Sequence, residues 1–296
     1  MTQKIGEHGF LVVDKEPGMT SHDVVAIARR ALGTRKVGHA GTLDPMATGV
    51  LVLGFNNGTR LLQYITDGDK SYQATVVLGV STITDDFEGE VIATVDASAI
   101  TDEQINAELD TMRGTFMQRP SSVSAVKVDG ERAYDRVRSG ETVVLASREV
   151  TISQLDILEI RRIDKRVEID IEVTCSAGTY IRAIARDCGD TLKVGGHLSA
   201  LRRTRVAGFT TTGAASIAAL KSAEFSTLDL ADVARATFPV REIALDEKLE
   251  LSFGRTLAAN PADGIYAGVS PANELIALLS NVDGKAKPIA VFAAAH

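Results

Sequence analysis

The 296-residue chain has two cysteines, Cys175 and Cys188, too few for a disulfide framework. It has no apolar run near the ~20 residues that a membrane-spanning helix needs. Residues 1–10 carry no apolar signal core, so a soluble cytoplasmic protein is expected. Its five histidines (His8, His22, His39, His197 and His296) do not pair with one another or with cysteine at metal-ligand spacing. A structural zinc is not expected. An overall basic charge is missing too: the net charge is −7, which by itself argues against nucleic-acid binding, although a local basic face can sit on an acidic protein. There is no internal repeat, no low-complexity stretch and no Gly-Lys-Ser/Thr ending of a phosphate-binding loop.

What is present begins with a sizeable core. Hydrophobic residues make up 45% of the chain, enough for one or two domains. Phe10 to Asp14 reads as a short buried strand, followed by a turn whose helix cap falls at Ser21. Val24, Val25, Ala28 and Leu32 recur at helical spacing and Gly33 ends that helix. Thr59 to Ile65 reads as a short helix and Tyr72 to Leu78 as a strand. Asp102 to Met112 reads as an exposed helix, Ser122 to Val128 as a strand and Ala133 to Ser139 as a basic helix. Val150 to Ile163 and Arg166 to Cys175 give the clearest β signals. In the second, Val167, Ile169, Ile171 and Val173 alternate with charged or polar residues, as in a sheet wet on one face. Thr179 to Leu192 and Thr211 to Thr237 read as helical. Beyond Phe238-Pro239, short apolar runs separated by turn signals predict a small all-β module, with a boundary near Val240. The class is α+β, without strict βαβ repetition.

Four segments could carry chemistry. Val37 to Leu51 places one carboxylate, Asp44, in a loop of glycines, threonines and a proline. Pro45 biases Asp44 away from helix, so the carboxylate is presented by a shaped turn, as a turn-former or as a catalytic group. Cys175 to Arg182 ends a strand and opens a helix, with Tyr180 and Arg182 in its first turn. An arginine there opposes the helix dipole. A solvated arginine or one with a carboxylate partner fits equally. Lys70-Ser-Tyr72 starts a strand, where the tyrosine is half-buried packing or a functional ring. His197 to Arg205 holds Arg202, Arg203 and Arg205, as phosphate contacts or a solvated basic face. Arg132, Arg136 and Arg138 form a similar cluster, as do Arg29, Arg30, Arg35 and Lys36.

Taken together, these blocks resemble the bacterial tRNA pseudouridine-55 synthases, the TruB family. The matching pieces, in the family's order, are Asp14-Lys-Glu-Pro-Gly-Met-Thr-Ser21; Gly38-His-Ala-Gly-Thr-Leu-Asp-Pro-Met-Ala-Thr-Gly49; Asp69-Lys-Ser-Tyr72; Ser124 to Tyr134; Cys175 to Arg182; and His197 to Arg203. The likeness spans at least Phe10 to Phe209. One departure is Gln118-Arg-Pro-Ser-Ser-Val-Ser124, where the family often has paired prolines.

The resemblance implies a pseudouridine-synthase core over residues 1–239, with a mixed, largely antiparallel sheet and flanking helices. It implies a small C-terminal PUA-like RNA-binding β-barrel over 240–296. The activity it implies is isomerisation of uridine 55 in the T-loop of tRNA, with base flipping. Asp44 is then the nucleophile, Tyr72 the stacking platform and Arg182 the counter-ion of Asp44. His39 props the gap left in the RNA, Tyr180 and Leu201 line the pocket, and Lys15 and Arg202 complete the substrate-binding set. No metal and no organic cofactor are implied. The partner is the tRNA T-arm, with no membrane, and a monomer is expected. The physical case for a counter-ion is general. A carboxylate covered by a flipped base and RNA loses water, which can raise its pKa by about 3–5 units, and an adjacent guanidinium opposes that by about 1–3. Two other classes compete: a module that only binds and refolds tRNA, and an aspartate-dependent hydrolase of small molecules, which would have no use for the arginine clusters.

Overall fold

The computed structural model describes residues 6–121, 127–128, 131–132 and 145–293. The readings of a helix over Ala133 to Ser139 and of most of the strand over Ser122 to Val128 lie outside them, as do Arg136 and Arg138. The strands in chain order are β1 (Gly9–Lys15), β2 (Val37–His39), β3 (Thr48–Phe55), β4 (Lys70–Leu78), β5 (Val80–Thr82), β6 (Val91–Thr94), β7 (Gly114–Gln118), β8 (Lys127–Val128), β9 (Glu131–Arg132), β10 (Arg148–Ile163), β11 (Arg166–Cys175), β12 (Gly196–Val206), β13 (Phe209–Thr210), β14 (Val240–Glu242), β15 (Leu257–Ala258), β16 (Ile265–Val269), β17 (Leu275–Val282) and β18 (Lys285–Val291). The α-helices are α1 (Ser21–Ala31), α2 (Leu62–Thr66), α3 (Asp102–Thr111), α4 (Ile181–Thr191), α5 (Ile217–Ser222), α6 (Leu230–Thr237) and α7 (Leu245–Ser252). The chain is α+β, and the strand pairings described run antiparallel apart from β14 with β16.

Two compact units form. The first comprises 1–44, 49–66 and 206–296, the second 45–48 and 67–205. In the first, β1 pairs with β3 from Gly9↔Phe55 to Lys15↔Gly49, and β2 pairs with the far end of β3. Phe10, Val50, Val52, Leu61 and Ile65 share one buried cluster with Ala231, Val233, Ala267, Val269 and Leu278. The C-terminal strands therefore pack into the same core as β1 and β3. Arg60 reinforces this: its guanidinium stacks 4.5 Å from the Phe292 ring centroid and donates to Val291 O at 2.6 Å.

Several elements differ from the sequence reading. Thr59 to Ile65 is a 3₁₀ turn, Asn56–Arg60, followed by the short α2. Thr211 to Thr237 holds two short helices, α5 and α6: the Ser216 hydroxyl caps the first by accepting from Ala219 N at 3.1 Å, and Asp229 stands at the N-cap position of the second. The segment after Pro239 is not all-β. Its five-stranded sheet, in the order β14-β16-β17-β18-β15, is accompanied by α7, whose first turn carries Asp246 and Glu247. Alternation alone under-reads such a helix, since only Leu251 of α7 is buried.

In the second unit β4, β11, β10 and β7 lie side by side. Val167, Ile169, Ile171, Val173 and Cys175 of β11 stand opposite Leu78, Val76, Ala74, Tyr72 and Lys70 of β4. Side chains directly opposite share a face. These ten make one buried face, and each large apolar side chain contributes about 1.5–3 kcal/mol. The other face is wet: Ser71 and Thr174 hydroxyls bond at 2.9 Å and Thr75 donates to Asp170 at 2.6 Å. Tyr72 therefore belongs to the apolar face, near its end.

Candidate functional site

The Asp44 loop is fixed from α1. Thr20, not Ser21, is the N-cap: its hydroxyl accepts from Asp23 N at 3.1 Å, and Asp23 answers by accepting from Thr20 N at 2.8 Å. This reciprocal cap satisfies two helix-end donors. It leaves Ser21 for another task. Ser21 is 1% exposed, and its hydroxyl donates to Leu43 O at 3.0 Å while accepting from Leu43 N at 2.8 Å. One side chain thus satisfies both backbone groups of the residue preceding Asp44. Leu43 is itself buried, and Gly41, at φ 87°, allows the turn that leads into it. Asp44 follows in a partly exposed position outside any helix or strand.

His39 ends β2, opposite Leu53, and its ring meets that of His22 edge-on at 5.7 Å. Lys15 is fully buried at the end of β1. Its ammonium donates to Glu16 O at 2.9 Å and Met19 O at 2.7 Å, closing the turn that leads to Thr20. Arg29, Arg30, Arg35 and Lys36 are all exposed around the end of α1.

The second unit holds the other predicted residues. Lys70, Ser71 and Tyr72 open β4. Burial pushes the Lys70 ammonium below its ordinary value, with the nearby Arg203 charge adding to it. Its Nζ donates to Gly68 O at 2.7 Å. Tyr180 is the N-cap of α4 rather than a first-turn residue, and Arg182 is the second residue of that helix. Gln118 holds Tyr180 as Ser21 holds Leu43: its amide nitrogen donates to Tyr180 O at 3.1 Å and its oxygen accepts from Tyr180 N at 2.8 Å.

Arg182 is 5% exposed. Its Nη1 donates to Thr84 O at 2.7 Å and to Asp86 Oδ2 at 3.0 Å. The Asp86 carboxylate is buried and also accepts from Thr84 Oγ1 at 2.5 Å and Glu88 N at 3.1 Å. An arginine facing the positive end of a helix is thus balanced by a carboxylate from the β5–β6 turn. Sequence reasoning missed Asp86, which is 96 residues away in the chain. The hint was Asp85-Asp86 in a turn otherwise short of reasons for two adjacent acids. Arg186, one turn further along α4, pairs with Asp85 at 3.3 Å.

The His197 to Arg205 segment lies on a strand, β12, which separates the three arginines that the sequence offered as phosphate contacts or a solvated basic face. Arg203 is 1% exposed, packed in the interior. Arg205 is committed to Asp69, with Nη1 and Nη2 donating at 2.9 and 2.7 Å, and this pair holds the Asp69 carboxyl below its usual range. Arg202 is half-buried, and its Nη1 reaches Thr48 Oγ1 at 3.4 Å. Leu201 is buried on the same strand. Alternation along a strand forces neighbouring arginines to opposite faces, which spacing in the sequence could not reveal before the strand was known. Among the described residues no group of three or more His, Cys, Asp or Glu could hold a metal ion. No helix among them is long and apolar enough to cross a membrane.

Comparison with known proteins gives consistent matches along the chain. Residues 29–181 match the TruB family pseudouridylate synthase N-terminal domain, 182–244 the tRNA pseudouridylate synthase B C-terminal domain, and 238–293 the tRNA pseudouridine synthase II C-terminal domain. A tRNA pseudouridine synthase B of Arthrobacter sp. (strain FB24) is 52% identical over 296 residues, covering 96% of each chain. One of Corynebacterium glutamicum (strain R) is 48% identical over 288 residues, covering 97% of this chain and 96% of the relative. Among solved structures, an H/ACA RNP bound to a substrate RNA containing 2′-deoxyuridine matches with TM-score 0.71 at 23% identity, over 96% of this chain and 85% of that one. A Cbf5-Nop10-Gar1 complex matches with TM-score 0.70 at 24% identity, over 96% and 84%. These structures share the fold, and the sequence matches go further: the chain belongs to the TruB family and is a pseudouridine synthase, an isomerase.

Proposed function

We propose that this protein isomerises uridine 55 in the T-loop of tRNA, with Asp44 as the nucleophile. The observation that carries the reading is the Ser21 hydroxyl closing both hydrogen bonds of Leu43, which fixes the backbone immediately before the one carboxylate of the family's Gly-Thr-Leu-Asp-Pro motif. A catalytic group must be held within a fraction of an ångström to be useful, and a buried side-chain clamp does that. The reaction breaks the N1–C1′ bond, rotates the uracil and forms a C5–C1′ bond. The C5 proton is lost and N1 gains one, so atoms balance without a cofactor or a metal.

The target base must leave its stack to be reached. Tyr72 supplies the ring on which it rests, and base–aromatic stacking is worth about 1–3 kcal/mol. Tyr180 and Leu201 line the pocket, and His39 fills the space the base leaves in the RNA. Arg182 serves as counter-ion to Asp44 as well as to Asp86. A guanidinium offers five N–H donors in a fixed fork, so one arginine can serve two carboxylates. Lys15 shapes the turn before α1, and Arg202 with the exposed Arg29, Arg30, Arg35 and Lys36 meets phosphates. Residues 1–239 form the catalytic domain, and 240–296 a PUA-like RNA-binding element that takes part as an RNA contact. The enzyme acts as a cytoplasmic monomer.

The test is incubation of the purified protein with unmodified tRNA transcript and mapping of pseudouridine. Asp44→Asn should abolish the product and keep tRNA binding within a few-fold. A variant that still forms pseudouridine at the wild-type rate refutes the assignment.

A further inference from the structure

Strands β7 and β10 pair from the rung Gln118↔Arg148. Residues opposite each other in an antiparallel pair project from the same face. Both reach Tyr180, at the start of α4. The Gln118 side chain, 2% exposed, closes the two backbone bonds of Tyr180. The Arg148 guanidinium lies 4.9 Å from the centroid of the Tyr180 ring, and its Nη2 donates to the Tyr180 hydroxyl at 3.3 Å. Gly178 lies beside Arg148. A Cβ there would stand 3.4 Å from Arg148 Nη1, and the glycine holds φ at +85°. Tyr180 is thus fixed twice, at its backbone by an amide and at its ring by a planar cation.

We propose that Gln118 and Arg148, joined across one rung of the sheet, are the positioning residues that set the Tyr180 ring before RNA arrives. This rests on the reading of Tyr180 as a wall of the base pocket. A tyrosine that had to choose its rotamer as the base entered would lose side-chain freedom at that moment. One already held by stacking and a hydrogen bond does not. The planar fork of arginine matters, since lysine carries the charge without a face to stack. Arg148 belongs to the Tyr180 side chain in this scheme rather than to a phosphate.

A double-mutant cycle on the full-length protein tests it, with single-turnover pseudouridine formation on unmodified tRNA transcript and tRNA Kd measured at two salt concentrations. Arg148→Met and Gln118→Leu should each slow the chemical step about 5–20-fold with Kd unchanged; the urea midpoint should hold for Arg148→Met and fall for Gln118→Leu, which leaves two buried backbone groups of Tyr180 unsatisfied. Arg148→Lys should recover little of that loss. In a Tyr180→Leu background each should cost less than two-fold. An equal loss in that background overturns the inference. So does a loss that appears in Kd with a shallower salt dependence, which would make Arg148 a phosphate contact. If Gln118→Leu does not fold, the Arg148 arm decides alone. Should Tyr180→Leu keep the wild-type rate, the pocket reading fails instead, and the two failures are thereby separated.

Discussion

Replacing Ser21 with alanine removes one oxygen and two hydrogen bonds. Both end on Leu43, at 3.0 Å from its carbonyl and 2.8 Å from its amide nitrogen. The site is buried, and a missing hydroxyl leaves less than the ~30 Å³ a water occupies, so solvent does not replace it without movement. Leaving a buried polar group unsatisfied costs about 1–3 kcal/mol. With two groups affected and partial relaxation of the loop, Ser21→Ala should destabilise by about 2–4 kcal/mol. The backbone before Asp44 then shifts to find partners, and a displacement of ~1 Å at a reacting group is worth about 10²-fold in rate. Urea denaturation and single-turnover assays on tRNA should therefore both register the change. Thr20→Ala is the control, because it removes the helix cap next door. It should cost about 1 kcal/mol of stability and keep the rate. If Ser21→Ala turns over within two-fold of wild type, or if Thr20→Ala is equally slow, the clamp does not position the nucleophile.

Other consequences can be checked as directly. Arg182→Met should lower stability by about 3–5 kcal/mol, since it strands the buried Asp86 carboxylate, and should slow turnover with tRNA binding kept; a double variant that also carries Asp86→Asn should recover part of the stability but not the rate. Burial pushes the thiols of Cys175 and Cys188 up to about 11 and about 12, so neither should react with a thiol reagent at pH 8 until the protein is unfolded, when two should titrate. Tyr72→Phe keeps the stacking face and removes the hydroxyl; intact tRNA binding with a large loss of rate would assign the hydroxyl a part in the chemistry, and an unchanged rate would limit Tyr72 to stacking.

Much of this protein was legible one segment at a time. The alternation from Val167 to Val173 fixed a strand and its buried face, and the loop around Asp44 marked one carboxylate by the glycines and proline that shape it. Those signals are local, carried by the two-residue period of a strand and the backbone limits of glycine and proline. The partners were not legible. Ser21 looked like a cap until Thr20 was seen to hold that place, and its bond to Leu43 spans 22 residues. Asp86 reaches Arg182 across 96 residues, and Gln118 and Arg148 converge on Tyr180 from separations of 62 and 32. Arg203, one of three neighbouring arginines in the sequence, is buried, and Arg205 is spent on Asp69. The sequence by itself determined which residue types stand in which loop. Only the tertiary structure decided which buried polar groups satisfy one another, because a hydrogen-bond partner is chosen by position in space, whatever its distance along the chain.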